Sequence, residues 1–181
     1  MCSISGICDF ENNPNIKVVK LMTESISHRG PDDRGFFHNE NISFGHNRLS
    51  IIDLKRSQQP MKDTSNNNII IFNGEIYNFK DLKKELESLG HSFSTNGDTE
   101  VILKSYNQWG VECLKRLEGM FAFSIWDNKK KSLFIARDRM GIKPLYYTKE
   151  NDRLIFASEL KSILMNKSVN RSIDEDAIAD Y

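Results

Sequence analysis

Met1-Cys2-Ser3-Ile4-Ser5-Gly6-Ile7 opens the chain and places a cysteine directly behind the initiator methionine. Aminopeptidases commonly remove a methionine that precedes a small side chain, and removal here would leave a thiol and a free α-amine on Cys2. That single residue would then hold both a nucleophile and a base. The alternative is that Cys2 is a structural cysteine buried in an N-terminal strand. The rest of the sequence has to decide between the two interpretations.

Composition and charge exclude several classes of partner. The chain has 181 residues, which suffices for one well-packed domain. Its 25 Lys and Arg side chains balance 25 Asp and Glu side chains, so the sequence predicts no nucleic-acid partner. No apolar run approaches the ~20 residues that span a bilayer, and no secretory signal is visible. We therefore expect a cytoplasmic protein without a membrane segment.

The cysteines and histidines form no familiar disulfide or metal pattern. Cys2, Cys8 and Cys113 have no C-x-x-C spacing, which favours a reducing compartment over a disulfide framework. The four histidines include no H-E-x-x-H or zinc-finger pattern, so we predict no metal. The sequence also lacks a P-loop and a G-x-G-x-x-G motif, and we expect no cofactor in this domain.

Hydrophobic periodicity predicts strands that group in hairpins, with helices between the groups. Loops are predicted at 28–33 and 57–68, and the segment 49–54 is apolar enough to be buried. This grouping favours antiparallel sheets covered by helices, an α+β class. Strands are predicted at 3–10, 36–37, 42–46, 69–77, 120–127, 132–137, 145–148 and 154–157. Helices are predicted at 15–27, 79–89, 99–109, 111–117, 159–165 and from 172 onward.

The dipeptide Asn73-Gly74 lies between two β-favouring runs. Asn-Gly is the strongest short hairpin signal, because both residues of a type I′ turn need a positive φ. Local rules therefore predict a two-residue hairpin turn inside 69–77.

Six short polar clusters follow one another along the chain, and their order and content matter more than any one of them. In chain order they are Cys2, His28-Arg29-Gly30-Pro31-Asp32, Gly45-His46-Asn47-Arg48-Leu49-Ser50-Ile51, Phe72-Asn73-Gly74-Glu75-Ile76-Tyr77-Asn78, Gly97-Asp98-Thr99-Glu100 and Arg137-Asp138-Arg139-Met140-Gly141-Ile142-Lys143-Pro144-Leu145-Tyr146-Tyr147. Together they resemble the class II glutamine amidotransferase domain, and most closely that of glutamine-hydrolysing asparagine synthetases. The stretch Phe156-Ala157-Ser158-Glu159-Leu160-Lys161 strengthens that choice.

The resemblance implies a fold and a domain division. The fold is the N-terminal-nucleophile hydrolase sandwich, a four-layer α/β/β/α arrangement of two antiparallel sheets between helical layers. Residues 1–165 would form the glutaminase domain, and 166–181 would begin a linker into a synthetase domain that this chain lacks. ATP and Mg²⁺ are expected in that missing domain.

The resemblance also implies the residues of a glutaminase site. Cys2 would attack the side-chain amide of L-glutamine, with its own α-amine as base and later as acid. The Asn73 side chain and the Gly74 backbone N–H would stabilise the tetrahedral oxyanion. Water would then hydrolyse the thioester.

Glutamine is a zwitterion, so the same resemblance implies two charged contacts. Arg48 would hold the α-carboxylate in a two-pronged contact, and Asp98 and Glu75 would face the α-ammonium group. Backbone groups of the segment after Arg48 would line the pocket, which adds Leu49, Ser50, Ile51 and Ile52 to the predicted binding residues.

Two positions depart from the family pattern. Ser3 stands where glycine usually follows the nucleophile, so either a positive φ there strains serine by about 1–2 kcal/mol or the local backbone path differs. Asn47 stands where glutamate often precedes the arginine, and we expect it to affect packing more than chemistry.

Two alternative functions remain open at the level of sequence. One is an amidotransferase domain that supplies ammonia to amino-sugar or phosphoribosylamine synthesis. The other is a non-catalytic docking module with the same fold. The expected partners are L-glutamine and a synthetase domain of the same polypeptide, and the sequence leaves a homodimer open.

Overall fold

Two antiparallel sheets form the middle of the molecule, which a computed structural model describes over residues 1–50, 57–63 and 65–172. The first sheet contains β1 (Ser3–Asp9), β2 (Asp33–His38), β3 (Ile42–Arg48), β8 (Tyr146–Glu150) and β9 (Arg153–Ala157) in the order β2-β3-β1-β9-β8. The second contains β4 (Met61–Lys62), β5 (Ile69–Ile76), β6 (Gly119–Asp127) and β7 (Ser132–Arg137) in the order β4-β5-β6-β7. The predicted antiparallel sheets are confirmed.

Helices cover the outer face of each sheet. They are α1 (Ile16–Ser25), α2 (Phe79–Ser88), α3 (Asp98–Trp109) and α4 (Leu160–Ile163), with 3₁₀ turns at Ser27–Arg29 and Gly110–Lys115. Three apolar clusters separate the four layers: one between α1, α4 and the first sheet, one between the sheets, and one between the second sheet and α2 and α3. The predicted four-layer α/β/β/α sandwich is therefore confirmed. In the described ranges, no helix has the length and apolar character needed to cross a membrane.

Alternation along β1 decides which side of the first sheet each residue faces. Ile4 and Cys8 pack between the two sheets, whereas Ile7 packs against the outer helices. Successive side chains of a strand point to opposite faces. By this alternation, Cys2 belongs to the face between the two sheets, and Ser3 belongs to the face that the helices cover.

The predicted hairpin at Asn73-Gly74 is wrong. The two residues lie inside the continuous strand β5, where they pair with Ala122 and Phe121 of β6. Apolar residues of β5 are buried on both faces of the second sheet, and every residue of β5 pairs with a residue of β6. This tertiary pairing outweighs the local preference for a turn.

Element boundaries shift by a few residues from those predicted. The helix predicted at 15–27 ends at Ser25, the one at 111–117 is a 3₁₀ helix, and the one at 159–165 is a single turn. Strand β2 begins at Asp33, earlier than the predicted strand at 36–37. The helix predicted from 172 onward and most of the buried segment at 49–54 fall outside the described residues, and the domain division at 165 stays a prediction.

Candidate active site

One pocket brings together most of the predicted site residues. Its lining includes Cys2, Arg48, Leu49, Asn73, Gly74, Glu75 and Asp98, together with Met1, Ser57, Gln59, Phe72, Thr99, Met120 and Lys143. Ser50 does not line it; its backbone N–H donates to the Asp32 carboxylate at 2.7 Å. Ile51 and Ile52 lie outside the residues that the structure describes.

Cys2 is held at the pocket end of β1 by backbone contacts. The Leu49 N–H points at the Cys2 sulfur over 3.4 Å, and the sulfur is 3.5 Å from the Leu49 carbonyl oxygen. Arg29 donates from Nε to the Cys2 carbonyl oxygen at 3.2 Å. Cys2 is partly exposed, unlike the buried Cys8 and Cys113. A backbone donor therefore faces a sulfur that ligands can reach.

The stretch at 156–161 holds β1 from its other side. Ser158 exchanges two hydrogen bonds with Ile4, one from the Ile4 N–H to its Oγ and one from its own N–H to the Ile4 carbonyl, each 2.9 Å. The next residue, Glu159, lies 3.0–3.2 Å from His28, Arg29 and Lys161. Burial opposes ionisation of Glu159, but these three groups outweigh burial and lower its pKa. The strand that follows Cys2 is thus hydrogen-bonded to a stretch distant in sequence.

Asn73 places an unpaired side-chain NH₂ group in this pocket. Its side chain is only 1% exposed, and Nδ2 has no hydrogen-bond partner among the described residues. A buried donor left unpaired costs about 1–3 kcal/mol, and such a group is a candidate ligand contact. Asn73 therefore has the free donor that an oxyanion would need.

Gly74 is required by the close approach of β6. A Cβ built on Gly74 would lie 2.3 Å from the Met120 carbonyl oxygen and 2.7 Å from Phe121 Cα. The absence of a side chain at Gly74 thus serves the close approach of the neighbouring strand. Any side chain here would push β5 away from β6.

Arg48 ends β3 and is buried beside the loop that contains Gly30 and Asp32. The Asp32 N–H donates to the Arg48 carbonyl oxygen at 3.0 Å. A Cβ on Gly30 would lie 2.5 Å from the Arg48 nitrogen, so the loop fits against this strand only with glycine there. The Arg48 side chain lines the pocket and is 6% exposed. It supplies a positive charge on the same side as Cys2.

Asp98 and Glu75 supply negative charge to the pocket. Asp98 is the first residue of α3, and its buried carboxylate accepts the Ile76 N–H at 3.1 Å. Burial raises the Asp98 pKa, and the nearby Glu75 charge raises it further, although backbone N–H groups oppose the shift. The pocket thus offers opposite charges to the two charged groups of an amino acid.

Gln59 and Lys143 are two of the pocket residues that the sequence does not predict as site residues. Gln59 accepts the Phe72 N–H at 2.6 Å and donates to Thr99 at 3.4 Å, but it lies in a stretch predicted only as a polar loop. Lys143 is buried, and its Nζ lies 3.2 Å from the Met1 sulfur. Lys143 lies in the 137–147 motif, so the sequence contains a signal for it, although the family resemblance implies no role for this residue.

Asp138 holds the segment that carries Lys143. Its carboxylate accepts N–H groups from Phe121, Ile142 and Lys143 at 2.9–3.1 Å. Burial opposes its ionisation, but these backbone donors and that of Met140 outweigh burial and lower the Asp138 pKa. Asp138 thereby attaches the segment to β6, next to Gly74.

Ser3 has no positive φ, so the strain considered for this position does not arise. It lies in β1, and the non-glycine residues with positive φ in the described chain are Asn67, Lys131 and Asn151. Strand geometry requires no glycine at this position.

The four-layer sandwich has the fold of N-terminal-nucleophile hydrolases, and its pocket lies at the start of β1. A family model described as a glutamine amidotransferase domain matches residues 1–181. The chain belongs to the class II glutamine amidotransferase family. Its curated relatives include glutamine-hydrolysing asparagine synthetase 3 of Bacillus subtilis strain 168, which is 41% identical over 184 residues, or 99% of this chain and 30% of the relative. Asparagine synthetase B of Escherichia coli K12 is 37% identical over 185 residues, covering 100% of this chain and 32% of the relative.

A solved structure extends the comparison to the fold. Glutamine phosphoribosylpyrophosphate amidotransferase from Bacillus subtilis superposes with a TM-score of 0.76 at 22% identity, over 91% of this chain and 43% of that one. This likeness shows the fold alone. The chain spans about a third of the length of the two curated relatives, 30% and 32%.

Proposed function

We propose that this chain hydrolyses L-glutamine to glutamate and ammonia, with Cys2 as the nucleophile once Met1 is removed. The observation that carries the proposal is the buried, unpartnered Asn73 amide in the same pocket as the Cys2 thiol. The oxyanion that forms when a thiol attacks an amide needs a hydrogen-bond donor that is in place before the reaction begins. Asn73 meets that requirement without any rearrangement of a protein hydrogen bond.

The Cys2 thiol attacks the side-chain amide carbon of glutamine while the Cys2 α-amine takes the thiol proton. Asn73 Nδ2 and the Gly74 N–H stabilise the oxyanion that forms. The α-ammonium then returns the proton to the leaving nitrogen, so ammonia departs and a γ-glutamyl thioester remains. Water attacks the thioester, which releases glutamate and restores the thiol.

Charge arrangement supports glutamine as the substrate. Arg48 binds the α-carboxylate, and Asp98 with Glu75 binds the α-ammonium group. Leu49 contributes backbone groups beside the Cys2 sulfur. These contacts hold glutamine by its α-carboxylate and α-ammonium groups and thereby place its side-chain amide next to Cys2.

We further propose that the ammonia serves an ATP-dependent asparagine synthetase domain, following the names of the relatives at 41% and 37% identity. That domain would bind ATP and Mg²⁺, and the whole protein would act in the cytoplasm. Residues 1–165 would form the glutaminase domain. The phosphoribosyl alternative has weaker support, since the solved amidotransferase is only 22% identical.

Glutamate release from glutamine by the 181-residue chain tests the proposal. Intact mass should show loss of Met1, and chain that retains Met1 should be inactive because its α-amine is an amide. Cys2→Ala should abolish glutamate release, whereas Cys113→Ala, at a buried cysteine outside the pocket, should leave it intact. Turnover that persists in Cys2→Ala refutes the nucleophile, and a processed wild type without turnover favours the docking module.

The ammonia acceptor needs its own experiment. The longer protein that contains this domain should form asparagine from aspartate, ATP and glutamine. Formation of an amino sugar or a phosphoribosylamine instead would contradict the assigned acceptor while leaving the glutaminase intact.

A further inference from the structure

A row of polar side chains crosses three strands on the helical face of the first sheet. Ser3 of β1 is paired in register with Asn47 of β3, and Asn47 is paired with Arg34 of β2. Because the three positions are directly opposite one another, their side chains lie side by side. Both departures from the family pattern therefore fall at adjacent positions of one row.

The Asn47 amide is fully hydrogen-bonded in this row. Its Nδ2 donates to Ser3 Oγ at 3.0 Å and to the Thr23 carbonyl oxygen at 2.7 Å, and its Oδ1 accepts from Arg34 Nε at 2.9 Å. Arg34 in turn forms an ion pair with Glu24 of α1. Ser3 and Asn47 are completely buried. A buried amide whose N–H groups and oxygen are all paired is fixed in one arrangement.

The same two residues are chain neighbours of the pocket residues on the opposite face. Ser3 follows Cys2, and Asn47 precedes Arg48. The hydrogen bond between Ser3 and Asn47 therefore joins β1 to β3 directly behind the nucleophile and the carboxylate-binding arginine. One glutamine molecule has to reach from Arg48 to Cys2, so the spacing of these two strands sets where its amide lies.

We propose that Ser3 and Asn47 are a positioning pair that fixes Cys2 relative to Arg48, an inference that rests on the proposed glutaminase function. Neither side chain touches the substrate. Loss of the Ser3 hydroxyl leaves one Asn47 hydrogen without its acceptor in a buried site, which favours a shift of the strand ends. A small misplacement of the reacting atoms is costly in rate.

Two alkylating reagents distinguish positioning from general stability. A diazoketone analogue of glutamine needs both Arg48 and Cys2, whereas iodoacetamide needs only the Cys2 thiol. Ser3→Ala and Asn47→Ala should each slow inactivation by the analogue about fivefold, the factor that one net hydrogen bond contributes. Their iodoacetamide rates should stay within about twofold of wild type, because the thiol itself is intact. The readout is the rate of inactivation by the glutamine analogue divided by the rate of alkylation by iodoacetamide.

Ser5→Ala is the matched control. Ser5 lies on the same buried face, two residues further along β1, and its Oγ is 2.8 Å from Thr23 Oγ1. This variant should lose stability like Ser3→Ala but keep the wild-type ratio of rates. The double variant Ser3→Ala with Asn47→Ala should be no slower than Asn47→Ala, because both changes remove one shared bond.

The outcomes are separable. An unchanged ratio in Ser3→Ala, or the same loss of ratio in Ser5→Ala, overturns the positioning pair. A wild-type chain that reacts with the analogue but releases no glutamate refutes the proposed turnover and leaves the test of the pair in force.

Discussion

His46 Nε2 lies 3.1 Å from the Phe72 carbonyl oxygen and joins the two sheets in the interior of the sandwich. The carbonyl can only accept, so Nε2 carries the proton and donates. His46 is completely buried. Burial lowers its pKa to about 4; the Phe72 carbonyl opposes this shift, and the positive charge of Arg48 adds to it. The imidazole beside the active-site strands is therefore neutral at physiological pH.

The first prediction concerns acid stability. Unfolded His46 protonates near the ordinary histidine pKa of about 6.5, whereas folded His46 stays neutral down to about pH 4. The unfolded state thus binds more protons in this window, and the free energy of unfolding falls as the pH drops through it. His46→Gln keeps an amide donor for the Phe72 carbonyl but should lose this part of the pH dependence.

Urea unfolding at pH 7 and pH 5 measures the effect. The stability difference between wild type and His46→Gln should narrow at the lower pH. His91→Gln is the control for a histidine-to-glutamine change that leaves His46 in place, because His91 contacts Gln108 at an exposed site. An equal slope in all three proteins would show that His46 does not titrate differently in the two states.

The second prediction concerns the three cysteines. Burial raises the pKa of both Cys8 and Cys113 to about 12, so neither forms a thiolate at neutral pH. Cys2 is the partly exposed cysteine. Native protein treated with iodoacetamide at neutral pH should gain one carbamidomethyl group, located at Cys2 by peptide mass, and all three thiols should react in urea. Labelling of Cys8 or Cys113 in the native chain would contradict their burial.

Local sequence patterns predicted strands well where apolar and other residues alternate regularly along the chain. Phe121, Phe123 and Ile125 alternate in β6, and all three pack together under α2 and α3 as that spacing requires. Asn73-Gly74 failed because a turn preference is local, whereas pairing of β5 with β6 involves residues about fifty positions apart. The sandwich itself required the family resemblance, since periodicity does not specify how two sheets stack.

The pocket residues also differ in whether a local sequence pattern predicts them. Cys2, Arg48, Asn73 and Asp98 stand in motifs, and the structure brings them into one pocket. Gln59 carries no local signal because its role arises from contacts with Phe72 and Thr99, which lie far along the chain.

The third prediction concerns Gly74. A Cβ there would lie 2.3 Å from the Met120 carbonyl oxygen, a backbone atom that can move only with its strand. Gly74→Ala should therefore destabilise the fold by about 1–3 kcal/mol, the usual cost of overpacking. It should also lower glutamate release, because β5 carries Asn73 into the pocket.

Gly90→Ala is the control for this glycine. Gly90 has φ +92° and no atom within 4 Å of a built Cβ, so alanine would strain the backbone there without a clash. We expect Gly90→Ala to lose stability and retain kcat and KM. A Gly74→Ala protein with wild-type kinetics would show that β5 tolerates displacement.

The fourth prediction concerns the effect of the buried Asp98 carboxylate on the stability of the folded state. The pKa of Asp98 is higher in the folded state than in the unfolded state. Its contribution to the free energy of unfolding is therefore fully present below the ordinary aspartate pKa and is lost as the pH rises through the folded-state pKa. Asp98→Asn removes the buried charge, while its side-chain oxygen can still accept the Ile76 N–H. The variant should thus gain stability relative to wild type from acid to neutral pH.

The same change should weaken glutamine binding, because the neutral amide cannot balance the α-ammonium group. We expect the KM for glutamine to rise at least tenfold, about 1.4 kcal/mol, while Tm at pH 7 stays level or rises. Glu100→Gln is the matched control in the same helix, since the Glu100 carboxylate binds the Ser94 and Thr95 N–H groups and lines no part of this pocket. That variant should lose stability and keep the wild-type KM. If Asp98→Asn binds glutamine normally, the ammonium contact is assigned to the wrong residue; if its Tm relative to wild type falls as the pH rises, burial does not control this carboxylate.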